Sequence, residues 1–188
     1  MRRTVFLAIA VLLALSQAGW AADPTAAMSR ANTSYLKGDY LEAVGHLQAA
    51  LQAVWNKAPL AVRNVTFVAE QPEGYGQYQP RGEDVFEAVD PILLYCEPVG
   101  YTVVGGGDSY KFGLSADLVI QDESGQVLGG QEKFGQWQIV GRSFVTEFMM
   151  FFTLNLKGLP QGKYKLMVTL HDLNSDKTVT FDKPFAIR

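Results

Sequence analysis

Tyr164-Lys165-Leu166-Met167-Val168-Thr169-Leu170 decides how this chain folds. Tyr164, Leu166, Val168 and Leu170 recur at period two and form one apolar face, the pattern of a half-buried strand. Leu159-Pro160-Gln161-Gly162-Lys163 turns into it, and His171-Asp172-Leu173-Asn174-Ser175-Asp176-Lys177 turns out again. The last strand carries Val179, Phe181, Phe185 and Ile187 at even spacing, with Pro184 marking an edge or a break. Working backwards, the strand pattern extends over Phe144–Leu156, Phe134–Val140 and the run in which Leu114, Ala116, Leu118 and Ile120 alternate with Ser115, Asp117 and Gln121. Asp122-Glu123-Ser124-Gly125 reads as a hairpin turn into Gln126-Val127-Leu128. Tyr101–Val104, Ile92–Glu97 and Val65–Val68 complete a series of about eight strands with no helical spacers, which predicts an antiparallel sandwich.

Leu159-Pro160-x-Gly162-x-Tyr164-x-Leu166-x-Val168-x-Leu170-x-Asp172 resembles the penultimate strand of immunoglobulin-like domains in bacterial exported proteins. The resemblance covers roughly residues 62–188 and implies a sandwich of about seven to nine strands. It also implies that Tyr164 braces the corner at the strand's entrance through its hydroxyl. The disulfide of antibody domains is absent, because Cys96 is the only cysteine. Its place in Ile92-Leu93-Leu94-Tyr95-Cys96 makes it a small buried hydrophobe.

Ahead of the strands the period becomes helical. Asp23-Pro24 opens a first helix with Ala27, Met28, Ala31 and Tyr35 on one side, and Gly38 ends it. Asp39 with Glu42 has capping-box spacing for a second helix, whose stripe is Val44, Leu47, Leu51 and Val54. Pro59 stops it. Tyr35-Leu36-Lys37-Gly38-Asp39-Tyr40-Leu41-Glu42-Ala43, with Leu47, Ala50 and Leu51, resembles the turn and second helix of a tetratricopeptide repeat over about 30 residues. The first helix departs from that pattern, with Arg30 and Ala31 where the family prefers Leu and Gly. A solenoid needs about three such units, and no second copy is present. The expected organisation is a leader over 1–21, a helical hairpin over 22–58 and a sandwich over 59–188.

A lone hairpin must pack on something. Phe148-Met149-Met150-Phe151-Phe152 is apolar on both faces, although an outer sheet face is solvated unless something lies on it. The hairpin is therefore expected to dock near Met149 and Phe151, the competing reading being a partner patch at the same place. Between the first two strands, Pro72–Gly82 is rich in Gly, Pro and Tyr. It reads either as an ordered surface loop or as a binding loop with exposed Tyr75 and Tyr78.

The first residues carry an export pattern. Arg2 and Arg3 precede the apolar run Val5–Leu15, and Gly19 and Ala21 suit signal peptidase, so cleavage after Ala21 is expected. The run falls well short of the roughly 20 residues that cross a bilayer. With no cysteine behind the leader, no lipid anchor is expected either, and the product is periplasmic or secreted. Asn32 and Asn64 are sequons that matter only in a glycosylating host. The leader holds two of the 16 basic residues and none of the 19 acidic ones, so the remainder carries −5. Such a balance, with its Lys and Arg scattered, argues against nucleic acid as a partner.

Catalytic and cofactor signatures are missing. His46 and His171 stand far apart, and no zinc spacing occurs. Gly113-Leu114-Ser115-Ala116-Asp117 lacks the second glycine of a nucleophile elbow. Gly105-Gly106-Gly107 runs into Asp108, whose charge repels phosphate. Asp172-x-Asn174-x-Asp176 has calcium-loop spacing, but Lys177 replaces the required Gly, so it reads as a hairpin turn. Glu83, Asp84, Glu87 and Asp90 read as a solvated loop. The expectation is a non-catalytic binding or structural protein of the cell envelope, not an enzyme, with no cofactor and another envelope protein as partner. The alternatives are a carbohydrate- or lipid-binding sandwich using Tyr75, Tyr78 and Trp137, and a carboxylate-based hydrolase.

Overall fold

A computed structural model describes residues 23–156 and 158–188. The leader read at 1–21 lies outside the described residues. The elements in order are α1 (Pro24–Lys37), α2 (Tyr40–Trp55), β1 (Ala61–Phe67), β2 (Val85–Phe86), β3 (Ile92–Val99), β4 (Val104–Gly106), β5 (Ser109–Asp122), β6 (Val127–Gly141), β7 (Met150–Leu154), β8 (Gly162–Asp172) and β9 (Thr178–Ile187). The chain is mainly β, with two N-terminal helices ahead of the strands.

Asp23 Oδ1 accepts the amide of Thr25 at 3.0 Å, which starts α1, and Gly38 at φ 84° closes it in the left-handed region. Glu42 does not complete a capping box. Its carboxylate takes the hydroxyl of Ser34 at 3.0 Å, and Asp39 makes no side-chain cap. The seam between the helices is built from small residues: Ala27, Ala31 and Ser34 on α1, Ala43 and Ala50 on α2.

The strands form two sheets. The smaller has the order β1-β3-β7 and is antiparallel throughout. The larger runs β2-β9-β8-β5, with β4 and β6 both paired to β5, and its one parallel pair is β2 with β9. Alternation places Ile92, Leu94 and Cys96 of β3 and Met150, Phe152 and Leu154 of β7 against Leu114, Leu118, Leu166 and Val168 of the larger sheet. That apolar layer is the core the period-two pattern predicted. The corner expected at Tyr164 is present: its hydroxyl donates to the Pro160 carbonyl at 2.6 Å. Pro184 sits on β9 where that strand's other side is open, since β2 reaches only Ala186 and Ile187.

Three strand expectations change, for identifiable reasons. Phe144–Leu156 is strand only over Met150–Leu154. The residues before it plug the end of the core: Phe148 lies 5.1 Å from Phe112 and 6.1 Å from Tyr101, and the Val145 carbonyl accepts the Tyr101 hydroxyl at 2.9 Å. Tyr101–Val103 is not strand because its backbone groups are taken by side chains. Trp55 Nε1 donates to the Tyr101 carbonyl at 2.9 Å, Asn56 pairs with both the amide and carbonyl of Val103, and Asp172 accepts the Thr102 amide. Finally, 127–128 and 134–140 belong to one strand, β6, which slips register at Lys133, where φ is 50°, and again between Val127 and Gly129.

Candidate functional site

Strand β3 is buried on both faces, and its outer face poses the question of what covers it. The cover is the Tyr-rich loop, which corrects the expectation that the helical hairpin lies there. The loop leaves β1 at Phe67, returns where the Arg81 amide donates to the Phe67 carbonyl, and tightens into a turn at Gly74–Gln77 with Gly76 at φ 69°. The turn lays Tyr78 on Tyr95 with ring centroids 4.1 Å apart, and the Gly76 amide donates to the Tyr95 hydroxyl at 2.8 Å. Phe151 stands opposite Tyr95 in register on β7, and Met149 comes two residues before it.

Beneath this cover lies a buried acid. Glu97 is 3% exposed. One of its oxygens accepts the Tyr95 hydroxyl at 2.6 Å and the other accepts Asn64 Nδ2 at 2.7 Å. Asn64 reaches it because β1 bulges between Arg63 and Thr66, which puts Asn64 at φ 50°. The sequence marked Asn64 only as a sequon and gave Glu97 no role. A bulge that aims one amide at one acid leaves no periodic trace.

Of the five expected surface residues, Tyr78 and Phe151 both neighbour Tyr95, and Tyr75, Tyr78, Met149 and Phe151 are each half-buried. Trp137 stands apart. It pairs with Leu114 on β5 and packs 5.5 Å from Phe152, as part of the core layer between the sheets.

Burial raises the phenol of Tyr75 above its ordinary value, and the charge of Glu97 adds to this. Burial likewise raises Tyr95, with its bond to Glu97 second, and Tyr101, deep in the core. An unfolded tyrosine loses its proton near pH 10. Stability from these groups is complete below that value and is lost as pH rises through the raised folded values. Urea unfolding between pH 8 and 11 is therefore expected to show a steeper alkaline loss for the parent than for Tyr95→Phe. Equal slopes would remove Tyr95 from this account.

A second cluster lies on the outer face of the larger sheet. His171 Nε2 meets Asp117 Oδ2 at 2.7 Å, and the bulged Lys133 amide donates to Asp117 Oδ1 at 2.7 Å. The Lys133 amide is the main reason the Asp117 carboxyl sits below its usual range, with His171 also lowering it and burial opposing. Ser115 faces His171 across the strands, but among the described residues no hydrogen bond joins them. The acids of the β2 region pair with the end of the chain, Asp84 with Lys183 and Glu87 with Arg188, both at 2.7 Å.

The hairpin is fixed at its base and open along its length. Trp55 packs edge-on to Tyr101 at 5.2 Å and to Phe144 at 6.3 Å. Lys177 Nζ donates to the carbonyls of Asn56 and Gly100 at 2.9 and 2.8 Å. The Asp172 segment, expected as a hairpin turn despite its calcium-like spacing, holds the same joint: its carboxylate accepts Thr102, Asn174 and Ser175. Beyond the joint, Val44, Leu47, Leu51 and Val54 remain 47–54% exposed. A groove of about 480 Å³ separates α2 from the sandwich, with Gln48, Leu51 and Gln52 on one wall and Tyr110, Arg142 and Phe144 on the other.

No family model matches the chain, and no curated protein matches it. Among solved structures it is similar to an alkylpurine DNA glycosylase, AlkC, of Pseudomonas fluorescens, bound to DNA containing an abasic site analog. The identity is 11% and the TM-score 0.39, over 89% of this chain and 43% of that one. It is also similar to a DUF3823 family protein of Bacteroides ovatus, at 10% identity and TM-score 0.33 over 68% and 54%, and to the sporulation control protein Spo0M of Bacillus subtilis, at 7% and 0.30 over 70% and 50%. The chain spans about half the length of the solved chains it matches. The expectation that the chain is not an enzyme is withdrawn, the first of these structures being that of an enzyme. Likeness at this level carries no reaction, ligand or partner across.

Proposed function

We propose that this chain is an exported binding protein of the cell envelope, and that its helical hairpin presents an apolar surface to the apolar helix face of a second envelope protein. The observation that carries this reading is the open stripe Val44, Leu47, Leu51 and Val54 on a hairpin whose base is rigidly held. The stripe runs about 15 Å, three turns of helix, and has no charged residue in line with it. Half-burying four such side chains yields on the order of 4 kcal/mol, at the low end of what association costs. The partner must therefore also cover Met28, Tyr40 and Leu41, at 49%, 62% and 90% exposure on the same hairpin. The export reading rests on the leader pattern and is checked by N-terminal sequencing of the protein from the envelope fraction.

Leu47→Gln with Leu51→Gln tests the surface. The pair is expected to leave the melting temperature within a few degrees of the parent, because these side chains are already half in water. A photo-crosslinker at Val54 is expected to give a discrete adduct in cells, and the double variant is expected to remove it. An adduct that persists in the folded variant, or no adduct at all, would sink the reading.

A further inference from the structure

At the end of the sandwich away from the hairpin joint, the two sheets leave an open slot of about 330 Å³. Its floor is Leu118, Ile120, Leu154 and Leu166, and its lining among the described residues carries no charged side chain. Gln131 and Asn155 supply amides at the rim.

The slot has a cause in the sequence of β6. Gly129 pairs with Ile120 and Gln131 with Leu118, so both positions face inward with those core side chains. Alternation calls for apolar residues there, and the strand supplies a glycine and an amide instead. A Cβ on Gly129 would meet nothing within 4 Å. A single leucine could therefore fill the space beside the core, yet the strand carries a residue that weakens it, while Leu118, Leu154 and Leu166 beneath stay at or below 5% exposure. Farther along β6 the same inward row holds Trp137 and Ile139, opposite Leu114 and Phe112, and the core is closed.

We infer that this slot binds the acyl chain of a single-chain amphiphile, with the chain along the partly exposed Leu128, Phe134, Leu156 and Leu159 and its polar end at the amides of Gln131 and Asn155. Volume sets the class. Small-molecule pockets run from about 300 to 1,000 Å³, and one at the bottom of that range takes one alkyl chain rather than a two-chain lipid or a sterol. The lining among the described residues is apolar and carries no charged side chain, which favours an alkyl chain over sugars and phosphates, since these need more polar partners than two amides. The site is independent of the hairpin surface, so either can fail without the other.

Calorimetric titration of the full purified chain with dodecanoate tests it, alongside sedimentation with phosphatidylcholine vesicles. One equivalent of dodecanoate is expected to bind, while vesicles sediment without the protein. Gly129→Leu and Gln131→Phe, each placing a side chain in the slot, are expected to weaken binding about tenfold or more while remaining folded by circular dichroism. Leu47→Gln with Leu51→Gln is expected to bind as the parent does. The proposal is overturned by absence of dodecanoate binding, by undiminished binding in a folded slot variant, by its loss in the hairpin variant, or by vesicle binding without dodecanoate binding. Should neither slot variant fold, a crystal grown with dodecanoate decides: density against Leu128, Phe134 and Leu159 upholds the site, and an empty slot refutes it.

Discussion

Glu97→Ala is expected to lower the unfolding free energy by about 4 kcal/mol, measured by urea denaturation at neutral pH. The acid is 3% exposed and is the shared acceptor of Tyr95 and Asn64. Its removal leaves the Tyr95 hydroxyl with only the Gly76 amide, to which that hydroxyl is an acceptor, so its own proton loses its partner. The Asn64 amide loses the contact that rewards its φ of 50°, and the strained bulge then stands uncompensated. An unmade hydrogen bond in a buried place costs about 1–3 kcal/mol, and two such losses with a small cavity give the total. Glu97→Gln keeps an acceptor for Tyr95 but presents a donor to Asn64 unless that amide turns over, and a loss of about 1–2 kcal/mol is expected. If Glu97→Ala costs less than 1 kcal/mol, the acid does not hold the tyrosine loop on the sheet. A double-mutant cycle with Tyr95→Phe then measures the coupling directly.

Trp55→Ala is expected to cost about 3 kcal/mol and to free the hairpin from the sandwich. The indole fills the gap between Tyr101 and Phe144, and its N–H satisfies a carbonyl that no strand partner reaches. Because α2 ends at this residue, loss of the ring loosens the apolar contact with Tyr101 and Phe144 and leaves Asn56 and Lys177 to hold the joint. Hydrogen exchange is the discriminating measurement: amides of α1 and α2 are expected to lose protection more than those of β5 and β8. Trp55→Phe keeps most of the packing and loses the N–H bond, for about 1 kcal/mol. Equal loss of protection across helices and strands would mean that Trp55 belongs to the sandwich core rather than to a separable joint.

Both variants probe places where residues far apart in the chain meet, and these are the places the sequence left unread. Glu97 reads as one polar residue at the end of an apolar run, and Asn64 as a sequon, until a bulge aims one at the other. Asp117 and His171 meet only because β5 and β8 pair in one register, and a slip of one residue would turn the two to opposite faces. Trp55 and Asn56 look like the tail of a helix. Their role depends on the loop 101–103, whose backbone they occupy at the expense of the strand expected there.

Element type and order follow from local rules, and the sequence determined them. Period two along β5, β8 and β9, helical spacing in α2, Gly38 in the left-handed region and Tyr164 at its corner each depend on neighbours a few residues away. The same alternation shows Phe148–Phe152 to be apolar on both sides and so to need a cover. What forms that cover is a tertiary decision. The tyrosine loop sits on the outer face, where its Gly76 amide donates to the Tyr95 hydroxyl and Tyr78 stacks on that ring, holding the phenol that donates to the buried acid; the apolar stripe of α2 offers no such donor. The stripe therefore stays open, and the hairpin stands beside the sandwich instead of on it.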